Sequence, residues 1–132
     1  AHLTGHINVA YNGRTYPPID GADKEVSCRP DFSIMVYPWR SVNQPPVNEP
    51  NAIALHVTPE TPPTMLVQTQ DDPVHVENSI FYYLALKNAG VSPSELHVYP
   101  NGGHGYGNCS LLLLSQQKNK QKNNNPEVCT WT

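Results

Sequence analysis

The sequence predicts an α/β fold of three mainly parallel strands with flanking helices, and three observations carry that prediction. The first is Phe32-Ser33-Ile34-Met35-Val36-Tyr37-Pro38, a mostly apolar run with a β-branched centre, closed by proline. That is the pattern of a strand buried on both faces. The second is a strand, helix, strand succession over residues 64–99, a unit that implies parallel pairing. The third is chemical. Gln70-Asp71-Asp72-Pro73-Val74 leaves the end of one apolar strand, and Gly102-Gly103-His104-Gly105 follows the next, with Asp71 and His104 33 positions apart. In open α/β sheets, functional residues collect at the carboxyl ends of the strands.

Each element has its own justification. In residues 1–10, Leu3, Ile7 and Ala10 fall at i, i+4, i+7, which predicts one face of a helix. No N-cap precedes them and the first residue already lies inside the pattern, so this helix is expected to begin upstream. Residues 11–31 read as loop, with Asn12-Gly13, Pro17-Pro18 and Asp20-Gly21 as turn signals. After the strand at 32–38, residues 39–63 form a proline-rich excursion with a short helix expected at 51–57. Connections of that length in compact domains are often functional.

Thr64-Met65-Leu66-Val67-Gln68-Thr69 is the second strand. Residues 75–89 are the clearest helix, with Val76, Ile80, Tyr83 and Leu84 on one face and Gly90 as the left-handed stop. Glu95-Leu96-His97-Val98-Tyr99 is the third strand, with His97 on a sheet face, and Pro100-Asn101-Gly102-Gly103 is the turn after it. Residues 111–126 are low-complexity and polar beyond Leu114, the composition of an insertion that packs no core.

Composition narrows the function classes. The 132 residues suffice for one domain with a core. Charged residues make up only 14% and the net charge is −3, which argues against a nucleic-acid partner, since that would require a basic face. No apolar run approaches the roughly 20 residues of a membrane span, and the first residues lack the basic region and apolar stretch of a signal peptide. The 14 prolines are about twice the usual ~5% and cluster between elements, marking loops. Cys28, Cys109 and Cys129 make no disulfide framework; Cys109 and Cys129 flank a polar loop, where pairing and free thiols stand as equal alternatives.

The candidate chemistry rests on Asp71 and His104. A serine hydrolase needs a base to take the hydroxyl proton and an acid to fix the tautomer of that base. The base must reach over the sheet edge, which suits a glycine turn; the acid must be rigid, which suits the end of a buried strand. Position favours Asp71 over Asp72 as the acid, because Asp71 comes immediately at the strand end, whereas Asp72 precedes proline and suits a cap on the following turn. His2 and His6 stand at i, i+4, but neither a Glu in the H-E-x-x-H position nor a third ligand accompanies them, so no metal site is expected. Cys28 lies in a loop without a strand-to-helix elbow and reads as structural.

Several stretches together resemble the α/β-hydrolase superfamily. They are Tyr16-Pro17-Pro18-Ile19-Asp20, Ser27-Cys28-Arg29-Pro30-Asp31-Phe32, Thr61-Pro62-Pro63-Thr64, Asp71-Asp72-Pro73-Val74-His75-Val76-Glu77-Asn78-Ser79, His97-Val98-Tyr99-Pro100 and Gly102-Gly103-His104-Gly105-Tyr106-Gly107. The closest group is the acetyl-xylan-esterase-like or feruloyl-esterase-like branch, neighbouring the prolyl oligopeptidase catalytic domain. The resemblance implies a Ser-His-Asp hydrolase with Asp71 as acid and His104 as base, no cofactor, and a small-molecule or carbohydrate ester as substrate. Ala1-His2-Leu3-Thr4 is similar to the stretch that follows the family's G-x-S-x-G elbow, and no G-x-S-x-G occurs in the chain. The chain is therefore expected to be a partial domain, the C-terminal portion of an α/β-hydrolase sheet beginning just after the nucleophile, and inactive by itself. A prolyl-oligopeptidase-type peptidase and a non-catalytic truncated module are the competing readings.

Overall fold

A computed structural model describes residues 2–11, 27–41 and 55–106. Its elements are α1 (His2–Ala10), β1 (Ser33–Val36), β2 (Thr64–Thr69), α2 (Glu77–Asn88) and β3 (Glu95–Tyr99). The strands form one sheet in the order β1-β2-β3, and both pairings are parallel. Leu66 is level with Met35 on one side and Leu96 on the other, and Thr69 is level with Tyr99. Two backbone bonds extend the ladders past the strand ends, Tyr37 N–H to Val67 O at 2.7 Å and Gln70 N–H to Tyr99 O at 2.8 Å. The carboxyl edge of the sheet is thus held in register up to the residues that lead into the site.

β2 is central, and its alternation feeds two cores. Leu66 packs with Met35, Leu55, Tyr82, Leu86 and Val91 on the face covered by the helices, with Val9 and Leu96 against them. Val67 points the other way, to Tyr106, with Val36, Tyr37, Met65 and Tyr99 around it. Fully burying a side chain such as Leu66 stabilises by about 1.5–3 kcal/mol. The largely apolar and β-branched run of the strand therefore comes from burial on both sides, as expected for parallel strands.

The helices occupy their expected spans but turn other faces inward. In α1, Leu3 and Ile7 are exposed, while Gly5 and Asn8 are buried. The reason is close approach. A Cβ on Gly5 would lie 2.8 Å from Leu55 Cδ1 and 3.2 Å from Met35 Cε, so a residue without a side chain faces the sheet there. One turn on, Asn8 Nδ2 donates to Ser33 Oγ at 2.7 Å and to Thr64 Oγ1 at 3.3 Å, joining α1 to the start of β1 and β2. In α2, the fully buried residues are Asn78, Ser79, Tyr82 and Leu86, and the stripe expected from Val76, Ile80, Tyr83 and Leu84 is only half-buried. Apolar periodicity missed this face because two of its four residues are polar and serve as hydrogen-bonding groups.

α2 ends as the sequence indicates. Ala89 caps it, Gly90 adopts φ +77°, and the N–H of Val91 returns to Leu86 O at 3.0 Å. Of the short helix expected at 51–57, Leu55, His56 and Val57 are described and are not helical; Leu55 fills the core instead. Residues 12–26 and 42–54, the 111–126 stretch, Cys109 and Cys129 lie outside the described residues. Cys28 is exposed. Among the described residues no helix is long and apolar enough to cross a membrane, and no cluster of three metal-ligating side chains occurs.

Candidate active site

β2 and β3 are hydrogen-bonded neighbours, so the segments leaving their carboxyl ends meet. β2 passes into a turn in which Asp72 N–H donates to Thr69 O at 3.3 Å and His75 N–H donates to Asp72 O at 3.0 Å. His75 adopts φ +68°, a left-handed conformation uncommon outside glycine. β3 passes into a glycine turn in which Gly103 and Gly105 adopt φ +65° and +87°. These conformations are accessible to glycine at no steric cost, which explains the composition of the turn around His104.

The two carboxylates that leave β2 hold different partners. Asp71, exposed, accepts the backbone N–H groups of Gly103 at 2.8 Å and Gly102 at 3.3 Å. The Gly103 N–H, with smaller help from Thr69 and the Gly102 N–H, holds its pKa below the ordinary carboxylate value. Thr69 Oγ1 fastens the same turn from its own side by donating to Gly103 O at 2.7 Å.

Asp72, not Asp71, faces His104. His104 Nδ1 lies 3.0 Å from Asp72 Oδ2 and 3.1 Å from Oδ1. The expected pairing of Asp71 with His104 is therefore corrected to Asp72 with His104. The turn at Thr69–Asp72 carries the second carboxylate back under the sheet edge and leaves the first one on the outside. Asp72 also has the capping role expected of it, since Oδ1 accepts the N–H of Val74 at 2.8 Å. Its carboxylate is completely buried, while the His104 side chain is 38% exposed.

The arrangement fixes the tautomer. With Nδ1–H donating to the buried carboxylate, Nε2 of His104 carries the lone pair and acts as the acceptor. Aromatic rings back the imidazole. The Tyr37 ring centroid lies 4.6 Å from that of His104 at 57°, and Tyr106 meets Tyr37 edge-on at 5.0 Å. Tyr37 adopts φ +41° at the end of β1, which sends its ring to this side. Burial, with the Asp72 carboxylate second, pushes the Tyr106 phenol far up, so it is neutral at any working pH.

Two residues that the motif reading did not single out complete the surroundings of Asp72. Gln68 Nε2 donates to Asp72 Oδ2 at 3.1 Å, and Ser79 Oγ donates to Gln68 Oε1 at 2.6 Å. Both are buried. The available signal was a glutamine in the middle of an apolar strand, four residues before the acid, because a buried amide requires polar partners.

A buried carboxylate holding one nitrogen of a partly exposed histidine has the geometry that the acid–base pair of a serine hydrolase requires. Residues 34–119 match the model of the prolyl oligopeptidase family of peptidases. The chain belongs to that family. It is 34% identical, over 102 aligned residues, to an acetylxylan esterase of Xylanibacter ruminicola, covering 60% of this chain and 21% of that protein. Among solved structures it is similar to an acetyl ester-xyloside bifunctional hydrolase from Caldicellulosiruptor lactoaceticus, at 32% identity and a TM-score of 0.63. That similarity covers 88% of this chain and 48% of the other. The fold is also that of a carboxylesterase from Lactobacillus plantarum, at 21% identity and a TM-score of 0.60, over 98% of this chain and 50% of the other. The family member described here is thus an α/β-hydrolase chain, similar to esterases, that spans about a fifth of the length of the acetylxylan esterase and about half of the two solved structures.

Proposed function

We propose that this chain supplies the acid and the base of a Ser-His-Asp esterase, with Asp72 as acid and His104 as base. The observation that supports this most is the contact of His104 Nδ1 with the fully buried Asp72 carboxylate. His104 Nε2 takes the proton of a serine hydroxyl as that oxygen attacks the ester carbonyl. It then hands the proton to the leaving alcohol, and repeats the cycle with water to release the acid. Asp72 stays ionised throughout, holds the imidazole in its tautomer and stabilises the imidazolium.

The reading takes its serine from outside residues 1–132, which hold no G-x-S-x-G. The substrate class is an acetyl ester of a carbohydrate, a reading supported by the likeness to the acetylxylan esterase and the acetyl ester-xyloside hydrolase. Without a nucleophile the pair has no hydroxyl to activate, so the 132-residue chain alone is expected to be inactive.

The test uses a longer protein in which residues 1–132 follow an esterase segment that carries the nucleophile elbow. It is expected to release acetate from acetylated xylo-oligosaccharides and to leave prolyl amide substrates intact, and His104→Ala is expected to abolish the release. Cleavage of the amide without ester hydrolysis would replace the esterase with a peptidase. Full activity in His104→Ala would remove the assignment of the base. Catalytic turnover of nitrophenyl acetate by the 132-residue chain would refute the statement that it is inactive.

A further inference from the structure

We propose that Gln68, oriented by Ser79, is a positioning residue for the acid Asp72. This rests on the assignment of Asp72 and His104 above and extends it to the support that holds the acid in place.

The amide of Gln68 has one consistent orientation. Its Nε2 lies 3.1 Å from Asp72 Oδ2 and 3.2 Å from the carbonyl oxygen of His75, both acceptors, so both amide hydrogens are used. Its Oε1 accepts the Ser79 hydroxyl at 2.6 Å. A flipped amide would aim oxygen at two acceptors and leave the hydroxyl facing an N–H. Asp72 in turn accepts from three groups, His104 Nδ1, Gln68 Nε2 and the N–H of Val74. None of these bonds comes from Arg or Lys, so neutral donors hold the buried charge. A carboxylate taken out of water needs such bonds to remain ionised.

The placement ties the acid to rigid structure. Gln68 sits in the central strand and is fully buried, and Ser79 sits on the buried face of α2. The same helix contributes Asn78, whose Nδ2 donates to Val74 O at 2.6 Å and to His75 O at 3.0 Å. The turn carrying Asp72 is therefore gripped from β2 and from α2, whereas Asp71 grips the histidine turn. Precise acids are supported in this way by neighbours locked in place through packing and hydrogen bonds.

The experiment compares wild type, Gln68→Met and Ser79→Ala in the longer protein, with active sites counted by the acyl-enzyme burst. Methionine keeps the volume of glutamine and removes the donor. We expect kcat per counted site to fall about ten- to a hundredfold in Gln68→Met, the range for losing one hydrogen bond to a charged group, with KM within about twofold. The acid limb of the kcat/KM profile moves to higher pH, because a less neutralised Asp72 stabilises the imidazolium of His104 more strongly. The titrating neighbours of Asp72 are His104, Asp71 and Tyr106, all present in every variant. Ser79→Ala frees the amide and is expected to show the same change at smaller size; it decides the matter if Gln68→Met does not fold. Unchanged kcat per counted site with an unmoved acid limb, alongside a lower Tm, would overturn the proposal in favour of a merely structural role. His104→Ala in the same assay separates the two levels: activity there removes the assignment of the base, and its loss leaves the Gln68 result to be judged by itself.

Discussion

Asp71 and Asp72 are adjacent and carry the same carboxylate, yet one grips a backbone turn and the other grips a side chain. Asp71 contributes a pH-dependent restraint. Its pKa is lowered in the folded chain, so its grip on the Gly102 and Gly103 N–H groups is complete above the unfolded value of about 3.9. The grip is lost as pH falls through the lower folded value. The effect on global stability is small because the carboxylate is exposed. The expected outcome is a Gly103 amide resonance in the NMR spectrum of a His104→Ala variant, which removes the neighbouring imidazole, that stays still from pH 7 to pH 5 and moves only below about 4. A midpoint above 4 would contradict the account. The sequence brought His104 and an acidic neighbour together, because strand ends and glycine turns are legible as patterns. It did not discriminate between two consecutive aspartates, because which one points inward depends on the turn from Thr69 to Asp72, and that turn is set by tertiary hydrogen bonds.

At the scale of elements, the strands were legible and the faces of the helices were not. β2 reads correctly because both of its faces are buried, so any apolar run suffices. α1 and α2 turn polar or small residues to the sheet, Gly5 and Asn8 in one and Asn78 and Ser79 beside Tyr82 and Leu86 in the other, which blurs the apolar stripe. Two substitutions check this packing by chemical denaturation of the longer protein. Gly5→Leu is expected to destabilise by about 1–3 kcal/mol, because its side chain has to displace Leu55 and Met35. Leu3→Lys, on the exposed face, is expected to stay within about 0.5 kcal/mol of wild type. The reverse order would show that Leu3 and Ile7 form the inner face. Leu66→Ala, in the centre of the sheet, is expected to cost about 2–5 kcal/mol.

At the scale of the molecule, three parallel strands bring a carboxylate and an imidazole to one edge and leave apolar groups open at the other. Phe32 and Ile34 are 68% and 45% exposed, beside a cavity of about 220 Å³ lined also by Pro63, Met65 and Pro93. Exposed apolar surface of this kind makes the 132-residue chain, taken by itself, prone to association. Light scattering that rises with concentration is the expected outcome, and a monomer that melts in one cooperative step would contradict it. The contact between His104 and Asp72 is the one on which the proposed chemistry depends. Its most direct test is kcat/KM for an acetyl ester in Asp72→Asn and Asp71→Asn variants of the longer protein. The account predicts a loss on the order of 10⁴-fold for Asp72→Asn, as when a triad histidine is left in the wrong tautomer, and a loss within about tenfold for Asp71→Asn. Collapse of activity in Asp71→Asn, with Asp72→Asn close to wild type, would contradict it.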